Sequence, residues 1–372
     1  MGSAPRTSLA EVLPPLILGT ATFNVQYHPD PARMPYTDIV RHALESGVRA
    51  FDTSPYYGPS EILLGDALRQ LQPAPARADY FLITKCGRIR GDEFDYSPDW
   101  VRYSVHRSLE RLGTDYLDLV YTHDVEFVSP EEVLAAVKEL RALRDKGLIR
   151  YVGISGYPVD HLASLAEMIL RETGEPLDAV LSYSNYNIQN TRLALEDNMA
   201  SFARARVGCL LNASMLSMGL LKSHGVDNTQ MSSWHPASAG LRTACAKLSP
   251  MTGDETLEAV ALRWALHSWG KVGAAFGTHV GVDGGNKIGI SVMGVSSVGE
   301  LDETAKLWKD ATTKSAKNDE ITQLVETKMW PALGDFKDQT WTSGGSDFVN
   351  QRPAADMGKI PDDEISKKYG LL

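Results

Sequence analysis

Eight short apolar runs, most of them followed by an amphipathic stretch with helix-start signals, predict an α/β protein with the (β/α)8 TIM-barrel fold. The runs are nearly continuous in apolar residues, as parallel strands buried on both faces should be. No Gly-x-Gly-x-x-Gly spacing occurs in the chain, which argues against an open dinucleotide-binding sheet. The length of 372 residues suggests two or three domains, but a barrel core of ~250 residues accounts for most of it.

The predicted strands are placed by their apolar runs. In chain order they are residues 16–20, 49–53, 80–85, 117–123, 151–155, 179–182, 207–213 and 288–295. Ser-Pro pairs at 97–98 and 129–130 place a hydroxyl N-cap before a first-turn proline, so we expect helices to begin there. Gly113 and Gly147 precede the fourth and fifth strands and are expected to end helices.

Two stretches depart from the regular alternation. A long connection of about 222–287 precedes the eighth strand and contains a predicted helix at 255–268 and a glycine-rich segment, 281–289, predicted as a flexible loop. A C-terminal extension follows the eighth strand. We therefore divide the chain into a barrel with its insertion, residues 1–310, and an extension, residues 311–372, that packs on the barrel or is partly disordered.

Composition excludes several classes of function. Lys and Arg total 37 against 47 Asp and Glu, and this net charge of −10 argues against a nucleic-acid partner. Three scattered cysteines predict neither a disulfide framework nor a metal site. No stretch approaches the ~20 apolar residues of a membrane span, and no signal peptide is recognisable, so we expect a cytoplasmic protein that binds no membrane. The oligomeric state stays open.

Polar residues at the ends of consecutive predicted strands form a candidate catalytic set. They are Asp52 with Tyr57, Lys85, His123 and Ser155. Each alone has an ordinary structural explanation, such as a helix cap, tyrosine packing, a solvated strand end or a core histidine. Together they fall at one end of the barrel, where a lysine beside a tyrosine favours the phenolate and a histidine can orient a substrate oxygen.

The stretch Phe51-Asp52-Thr53-Ser54-Pro55-Tyr56-Tyr57-Gly58 resembles the first signature of the aldo-keto reductase family. Lys85 after Leu-Ile-Thr, His123 at the end of the fourth strand and the pattern at 112–119 agree with that family, and the resemblance extends over about 16–306. It implies an oxidoreductase that binds a nicotinamide dinucleotide without a Rossmann motif. It also implies that Tyr57 is the acid/base, that Asp52 pairs with Lys85, that Lys85 depresses the tyrosine pKa and that His123 polarises the substrate oxygen.

The resemblance also implies a set of cofactor contacts. They are Ser155, Tyr183, Ser214, Leu216, Gly219, Ser296, Ser297 and Glu303. Gly156 and Tyr183 stand where the family has Asn and Gln, and Ala213 stands where it has the tyrosine that stacks on nicotinamide. Either the nicotinamide ring is held in another way or a different aromatic residue replaces that tyrosine.

The cofactor choice depends on the segment after the eighth strand. Many family members have a basic residue there for the 2′-phosphate of NADP, whereas this chain has Ser297 and no Lys or Arg between Gly289 and Glu303. Acidic residues nearby would repel a 2′-phosphate. We therefore expect NAD as the preferred cofactor, with NADP as the alternative.

Three segments, 181–187, 213–221 and 295–298, resemble the sugar-dehydrogenase subgroup that includes D-arabinose 1-dehydrogenase and L-galactose dehydrogenase. This resemblance implies oxidation of C1 of an aldose such as D-arabinose or L-galactose to the lactone. Candidate substrate contacts are His28, Tyr56 and Trp100.

Two alternatives remain. One is an NADPH-dependent reductase of small aldehydes or ketones on the same fold. The other is a regulatory subunit that binds nucleotide without turnover and uses its C-terminal extension as a partner surface.

Overall fold

The computed structural model describes residues 6–279, 286–345 and 347–372, and these contain ten strands. The strands are β1 Leu16–Gly19, β2 Ala50–Asp52, β3 Phe81–Cys86, β4 Leu117–His123, β5 Ile149–Gly156, β6 Ala179–Tyr183, β7 Cys209–Ala213, β8 Thr278–His279, β9 Lys287–Ile288 and β10 Ile290–Gly294. Strands β1 to β7 and β10 close into a parallel barrel, and β8 pairs with β9 alone. The predicted barrel is confirmed, with strand boundaries shifted by one or two residues.

The barrel closes because β1 pairs with both β2 and β10. Leu18 faces Phe51 on one side, and Leu16 faces Ser291 on the other. The barrel interior is a packed apolar core. Its buried members include Ile17, Ile83, Leu119, Leu211 and Val292.

The helices surround this barrel. They are α1 Leu9–Val12, α2 Tyr36–Glu45, α3 Ser60–Gln70, α4 Pro98–Leu112, α5 Pro130–Asp145, α6 Val159–Thr173, α7 Glu196–Arg204, α8 Ala239–Ala246, α9 Leu257–Val272, α10 Val298–Ala311, α11 Ala316–Leu324, α12 Trp330–Leu333 and α13 Glu364–Lys368. The predicted start of α4 is confirmed, since the Ser97 side chain accepts a hydrogen bond from the Trp100 amide. Gly113 ends this helix with φ +68°, which glycine adopts at little cost.

Helix α1 packs on the interior core of the barrel through Leu9 and Ala10, and Thr278 Oγ1 of β8 donates to the carbonyl of Ala10 at 2.8 Å. The helix predicted at 255–268 is α9, which begins two residues later and runs on to Val272. Of the glycine-rich segment 281–289, predicted as a loop, residues 281–285 lie outside the described residues, and Lys287–Ile288 form the short strand β9 instead.

The extension after Ala311 contacts the barrel and its helices at several separate points. Helix α11 continues through a π turn, Val325–Met329, into α12, where Trp330 Nε1 donates to the carbonyl of Ile188 at 3.0 Å. The chain then crosses the C-terminal end of the barrel as a strap, which we define as residues 337–345. Helix α13 returns to α4, where Tyr103 donates to the carboxylate of Asp363 at 2.6 Å. No helix among the described residues is long and apolar enough to span a membrane.

Candidate active site

A cavity of about 730 Å³ opens at the C-terminal ends of the barrel strands, where enzymes of this fold hold their reacting groups. All five strand-end residues of the predicted catalytic set line it: Asp52, Tyr57, Lys85, His123 and Ser155. Tyr57 is placed by the turn between β2 and α3, where its amide donates to the carbonyl of Ser54 at 3.1 Å. Gly58 follows with φ +57°, a left-handed conformation that glycine adopts readily.

Lys85 and Asp52 form a buried ion pair at the floor of the cavity. Lys85 Nζ lies 2.5 Å from Asp52 Oδ1 and donates to the carbonyl of Thr53 at 3.0 Å. Both side chains are almost fully buried. Burial raises the pKa of Asp52, and the charge of Lys85 opposes that effect. The predicted pairing of these two residues is therefore present in the structure.

Tyr57 lies between this ion pair and His123. Lys85 Nζ is 4.9 Å from the centroid of the Tyr57 ring, and the His123 ring is 5.5 Å away, edge to face. Burial raises the pKa of Tyr57 well above its ordinary value, the charges of Asp52 and Asp124 add to the rise, and Arg88 opposes it. The expected lowering of this pKa is not found, because desolvation of the buried phenol dominates and the charge of Asp52 adds to the rise.

His123 has a hydrogen-bond partner at Nδ1. Ser54 Oγ lies 3.0 Å from this nitrogen and also accepts a hydrogen bond from the Tyr56 amide. When the serine hydroxyl donates to Nδ1, the proton of the neutral ring resides on Nε2. Burial lowers the pKa of His123 to about 3, with Asp124 opposing the effect. His123 is therefore a neutral hydrogen-bond donor at physiological pH.

Two charged residues that the sequence analysis missed form the wall beside His123. Arg88 forms an ion pair with Asp124, and its guanidinium carbon lies 3.9 Å from the centroid of the Tyr56 ring. Both residues line the cavity. A sequence signal existed, because Asp124 directly follows His123 and Arg88 comes three residues after Lys85, again at strand ends.

Most of the cofactor contacts implied by the resemblance also line the cavity. They are Ser155, Tyr183, Ser214, Leu216, Gly219, Ser296 and Glu303. Ser297 does not line it, because its hydroxyl caps α10 by accepting from the Glu300 amide. Tyr183 lies beside Ala213 in the β6–β7 register, so an aromatic ring stands next to the position where the stacking tyrosine is missing.

A cation near α10 comes from a distant segment. Lys222, which follows β7, lines the cavity and places its Nζ 3.1 Å from Glu300 Oε1. The other oxygen of Glu300 accepts hydrogen bonds from the amide and hydroxyl of Ser296. The segment 289–303 contains no Lys or Arg, but the fold supplies Lys222 to the same end of the cavity.

Of the three candidate substrate contacts, only Tyr56 lines the cavity. His28 accepts a hydrogen bond from the Asp30 amide through Nδ1. Trp100 is buried at the start of α4, where the guanidinium of Arg352 lies 4.4 Å from its ring centroid. The structure therefore does not bring His28 and Trp100 to the cavity.

The strap closes one side of the cavity through a buried carboxyl group. Ser343 donates to Glu126 Oε1 at 2.7 Å, and the Tyr157 amide donates to the same oxygen at 3.1 Å. Trp341 of the strap stacks on the Tyr157 ring with centroids 4.6 Å apart. Burial raises the pKa of Glu126 to about 7, and the charge of Asp124 adds to the rise.

We expect Glu126→Gln to weaken the pH dependence of stability. The folded-state pKa of Glu126 lies above its unfolded value, so the wild-type protein loses stability as pH rises from about 4.5 to about 7, by at most ~3 kcal/mol. Glutamine does not titrate, so this loss should be absent. Urea unfolding at pH 5 and pH 8 measures the difference. Ser343→Ala keeps the carboxyl group and should keep the pH dependence. An identical pH dependence in Glu126→Gln and wild type would contradict the assignment.

Comparison with known proteins agrees with this geometry. The model of the aldo/keto reductase family matches residues 15–326. The chain is 40% identical to D-arabinose 1-dehydrogenase of Saccharomyces cerevisiae over 339 residues, 89% of this chain and 93% of that protein. It is 31% identical to L-galactose dehydrogenase of Arabidopsis thaliana, over 82% of this chain and 86% of that protein.

Solved structures agree on the fold. The glycerol dehydrogenase of Gluconobacter oxydans aligns with a TM-score of 0.58 at 20% identity, over 88% of this chain and 93% of that one. The family model ends at residue 326, so the strap lies beyond the match. The family model matches most of the chain, and two sugar dehydrogenases are related to it over most of their length. This chain therefore belongs to the aldo/keto reductase family and is an NAD(P)-dependent oxidoreductase.

Proposed function

We propose that the protein oxidises C1 of a cyclic aldose to the lactone, with Tyr57 as the acid/base. The observation that carries the proposal is the placement of Tyr57 and neutral His123 together over the buried Lys85–Asp52 pair at one end of the cavity. The relatives named D-arabinose 1-dehydrogenase and L-galactose dehydrogenase support a sugar substrate.

In this mechanism the anomeric hydroxyl lies against the phenolate oxygen of Tyr57 and His123 Nε2. The phenolate of Tyr57 takes the hydroxyl proton as the C1–O bond becomes a carbonyl and the C1 hydrogen departs with its electron pair. His123 donates a hydrogen bond to the same oxygen and orients it. The nicotinamide cofactor, when bound, supplies the hydride acceptor. Lys85, held by Asp52, provides the nearest buried positive charge below the phenolate.

The cavity residues fit a nicotinamide dinucleotide by the chemistry of their donors. Hydroxyl groups of Ser155, Ser214 and Ser296 and the carboxylate of Glu303 line it from the catalytic end to α10. Such a set can bind an amide, phosphates and an adenine amino group. We propose that Tyr183, next to Ala213, supplies the aromatic face for the nicotinamide.

NAD is the cofactor that this site favours. The charge of Lys222 is already paired with Glu300, and Glu303 adds a second carboxylate at the same end of the cavity. A 2′-phosphate would meet two carboxylates and a cation that already has a partner. We therefore propose that NAD is preferred over NADP.

Replacing Glu300 by Gln is expected to raise the NADP-to-NAD ratio of kcat/KM about tenfold, because it frees the Lys222 charge for a 2′-phosphate. Steady-state kinetics with both cofactors measure this ratio. Lys222→Met in the same background should reverse the gain. Asp302→Asn changes an exposed acid on the same helix and should leave the ratio unchanged. If the NADP-to-NAD ratio of kcat/KM is the same in Glu300→Gln and wild type, the Lys222–Glu300 pair is not the basis of cofactor choice.

A carbonyl reductase is the second candidate, because burial raises the pKa of Tyr57 and so favours the phenol, the form that protonates a carbonyl oxygen. Absorbance of the reduced nicotinamide, followed with a panel of aldoses and of small aldehydes and ketones, separates the two activities. Aldose oxidation with NAD supports the proposal, whereas turnover confined to carbonyl reduction with NADPH contradicts it. Nucleotide binding without turnover would instead favour a regulatory subunit.

We further propose a cytoplasmic location, which three buried free cysteines support.

A further inference from the structure

We propose that Arg88 and Asp124 form a subsite that binds two neighbouring hydroxyl groups of a neutral sugar, beginning with the hydroxyl on the carbon next to the reacting one. The proposal rests on the proposed aldose oxidation and specifies how that substrate is selected. Both residues line the cavity, and Asp124 Oδ2 lies 3.5 Å from His123 Nε2. The subsite is therefore directly next to the place where the reacting oxygen must bind.

The Arg88 guanidinium is fixed before any substrate binds. Its Nε donates to the carbonyl of Arg90 at 3.2 Å, one terminal nitrogen donates to the carbonyl of Gly91 at 2.9 Å, and the other donates to Asp124. These bonds use three of its five N–H groups. The two that remain have no hydrogen-bond partner in the part of the chain that the structure describes. The ring of Tyr56 lies against the guanidinium at 3.9 Å and restricts it further.

Asp124 supplies the matching acceptor. Its side chain is buried and its backbone is left-handed, with φ +58°, a conformation that few residues other than glycine, Asn and Asp adopt. Oδ2 accepts from Arg88, whereas Oδ1 accepts no hydrogen bond from any described residue. Burial opposes ionisation, whereas the charge of Arg88 and its hydrogen bond to Oδ2 favour the ionised form of Asp124. The free oxygen is therefore that of a carboxylate.

The chemistry of the pair selects the ligand class. A hydroxyl group both donates and accepts, so two vicinal hydroxyls can donate to Asp124 Oδ1 and accept from the free N–H groups of Arg88. The positive charge of Arg88 is offset by Asp124, so the subsite has no excess charge to hold a phosphate or carboxylate on the substrate. A buried ion pair is also a weak source of stability by itself, so stability alone gives little reason for the pair. The subsite thus favours a neutral polyhydroxylated substrate over a sugar phosphate or sugar acid.

The test compares Asp124→Asn and Arg88→Lys with wild type on D-arabinose and on 2-deoxy-D-ribose, which is 2-deoxy-D-arabinose. Asparagine tolerates the left-handed backbone, and lysine keeps the charge while losing the fork of donors. We expect the wild-type preference for the fully hydroxylated sugar to fall about tenfold in both variants. Arg90→Lys is the matched control, because Arg90 is exposed, pairs with Glu93 and does not line the cavity.

Calorimetric binding of 1,5-anhydro-D-arabinitol provides a readout independent of oxidation, since this compound lacks the anomeric hydroxyl. Its affinity should fall at least tenfold in Asp124→Asn and stay unchanged in Arg90→Lys. The subsite would be overturned if the variants lost the same fraction of kcat/KM on both sugars, or if Asp124→Asn bound the anhydro compound as tightly as wild type. Either result would assign the Arg88–Asp124 pair a structural role. Binding of the anhydro compound that depends on Asp124 without any aldose oxidation would reject the proposed function while supporting the subsite. If wild type neither binds the anhydro compound nor oxidises an aldose, the subsite and the proposed function are both rejected.

Discussion

Replacing Tyr57 with phenylalanine is expected to lower kcat/KM for aldose oxidation ~10²- to 10⁴-fold, the usual effect of removing a positioned acid/base. Phenylalanine keeps the ring that lies 5.5 Å from His123 and 4.9 Å from Lys85 Nζ, so the cavity should keep its shape. Only the group that takes the substrate proton is lost. Cofactor affinity, measured by fluorescence titration, should therefore be unchanged.

The pH profile strengthens this test. Burial raises the pKa of Tyr57, so the phenolate that accepts the proton forms only as the pH rises into the alkaline range. Wild-type kcat/KM for oxidation should increase through the alkaline range, and residual activity of Tyr57→Phe should not follow that increase. Tyr36→Phe is the matched control, since Tyr36 bonds Asp66 on α3 and does not line the cavity. Near-normal turnover in Tyr57→Phe would exclude this residue as the acid/base.

Lys85→Met is expected to produce the largest loss of stability. It leaves the buried carboxylate of Asp52 without its partner, which typically costs ~3–5 kcal/mol, and it removes the positive charge nearest the Tyr57 ring. Urea unfolding measures the first effect and kcat/KM the second. The exposed pair between Lys317 and Glu255 gives the comparison, because Lys317→Met should cost no more than ~1 kcal/mol.

The double variant Asp52→Asn/Lys85→Met separates the two effects. A neutral amide and a thioether replace the buried pair, so most of the stability should return. Oxidation should stay impaired, because no buried cation remains below the phenolate. If Lys85→Met unfolds no more easily than Lys317→Met, or if the double variant regains activity with stability, the ion pair does not have the role assigned to it.

The barrel and the cavity floor were predictable because their signals are local. Apolar runs at regular spacing predict parallel strands, and the ends of such strands meet at one edge. Asp52, Lys85 and His123 were therefore placed at the cavity from strand ends alone, and all of them line it. Arg88 and Asp124 are at the same kind of position, three residues after Lys85 and one residue after His123.

Other parts of the site carry no local signal. Lys222 pairs with Glu300 across 78 positions of sequence, and Ser343 reaches Glu126 across 217. Trp100 is an aromatic residue close to the catalytic segments in sequence, yet packing against Arg352 buries it elsewhere. No pattern within a short window predicts which distant segments cross the end of a barrel, because that depends on how the connections pack.

The sequence by itself determined the fold, the strand-end side chains and the family, since these depend on periodicity and on motifs that neighbouring residues form. The tertiary structure alone decided the ionisation of those side chains. Burial makes His123 a neutral donor and favours the phenol form of Tyr57, and the charge of Asp52 adds to the rise of the Tyr57 pKa. Desolvation and charge pairing depend on groups brought together from separate strands, and they exist only once the chain is folded.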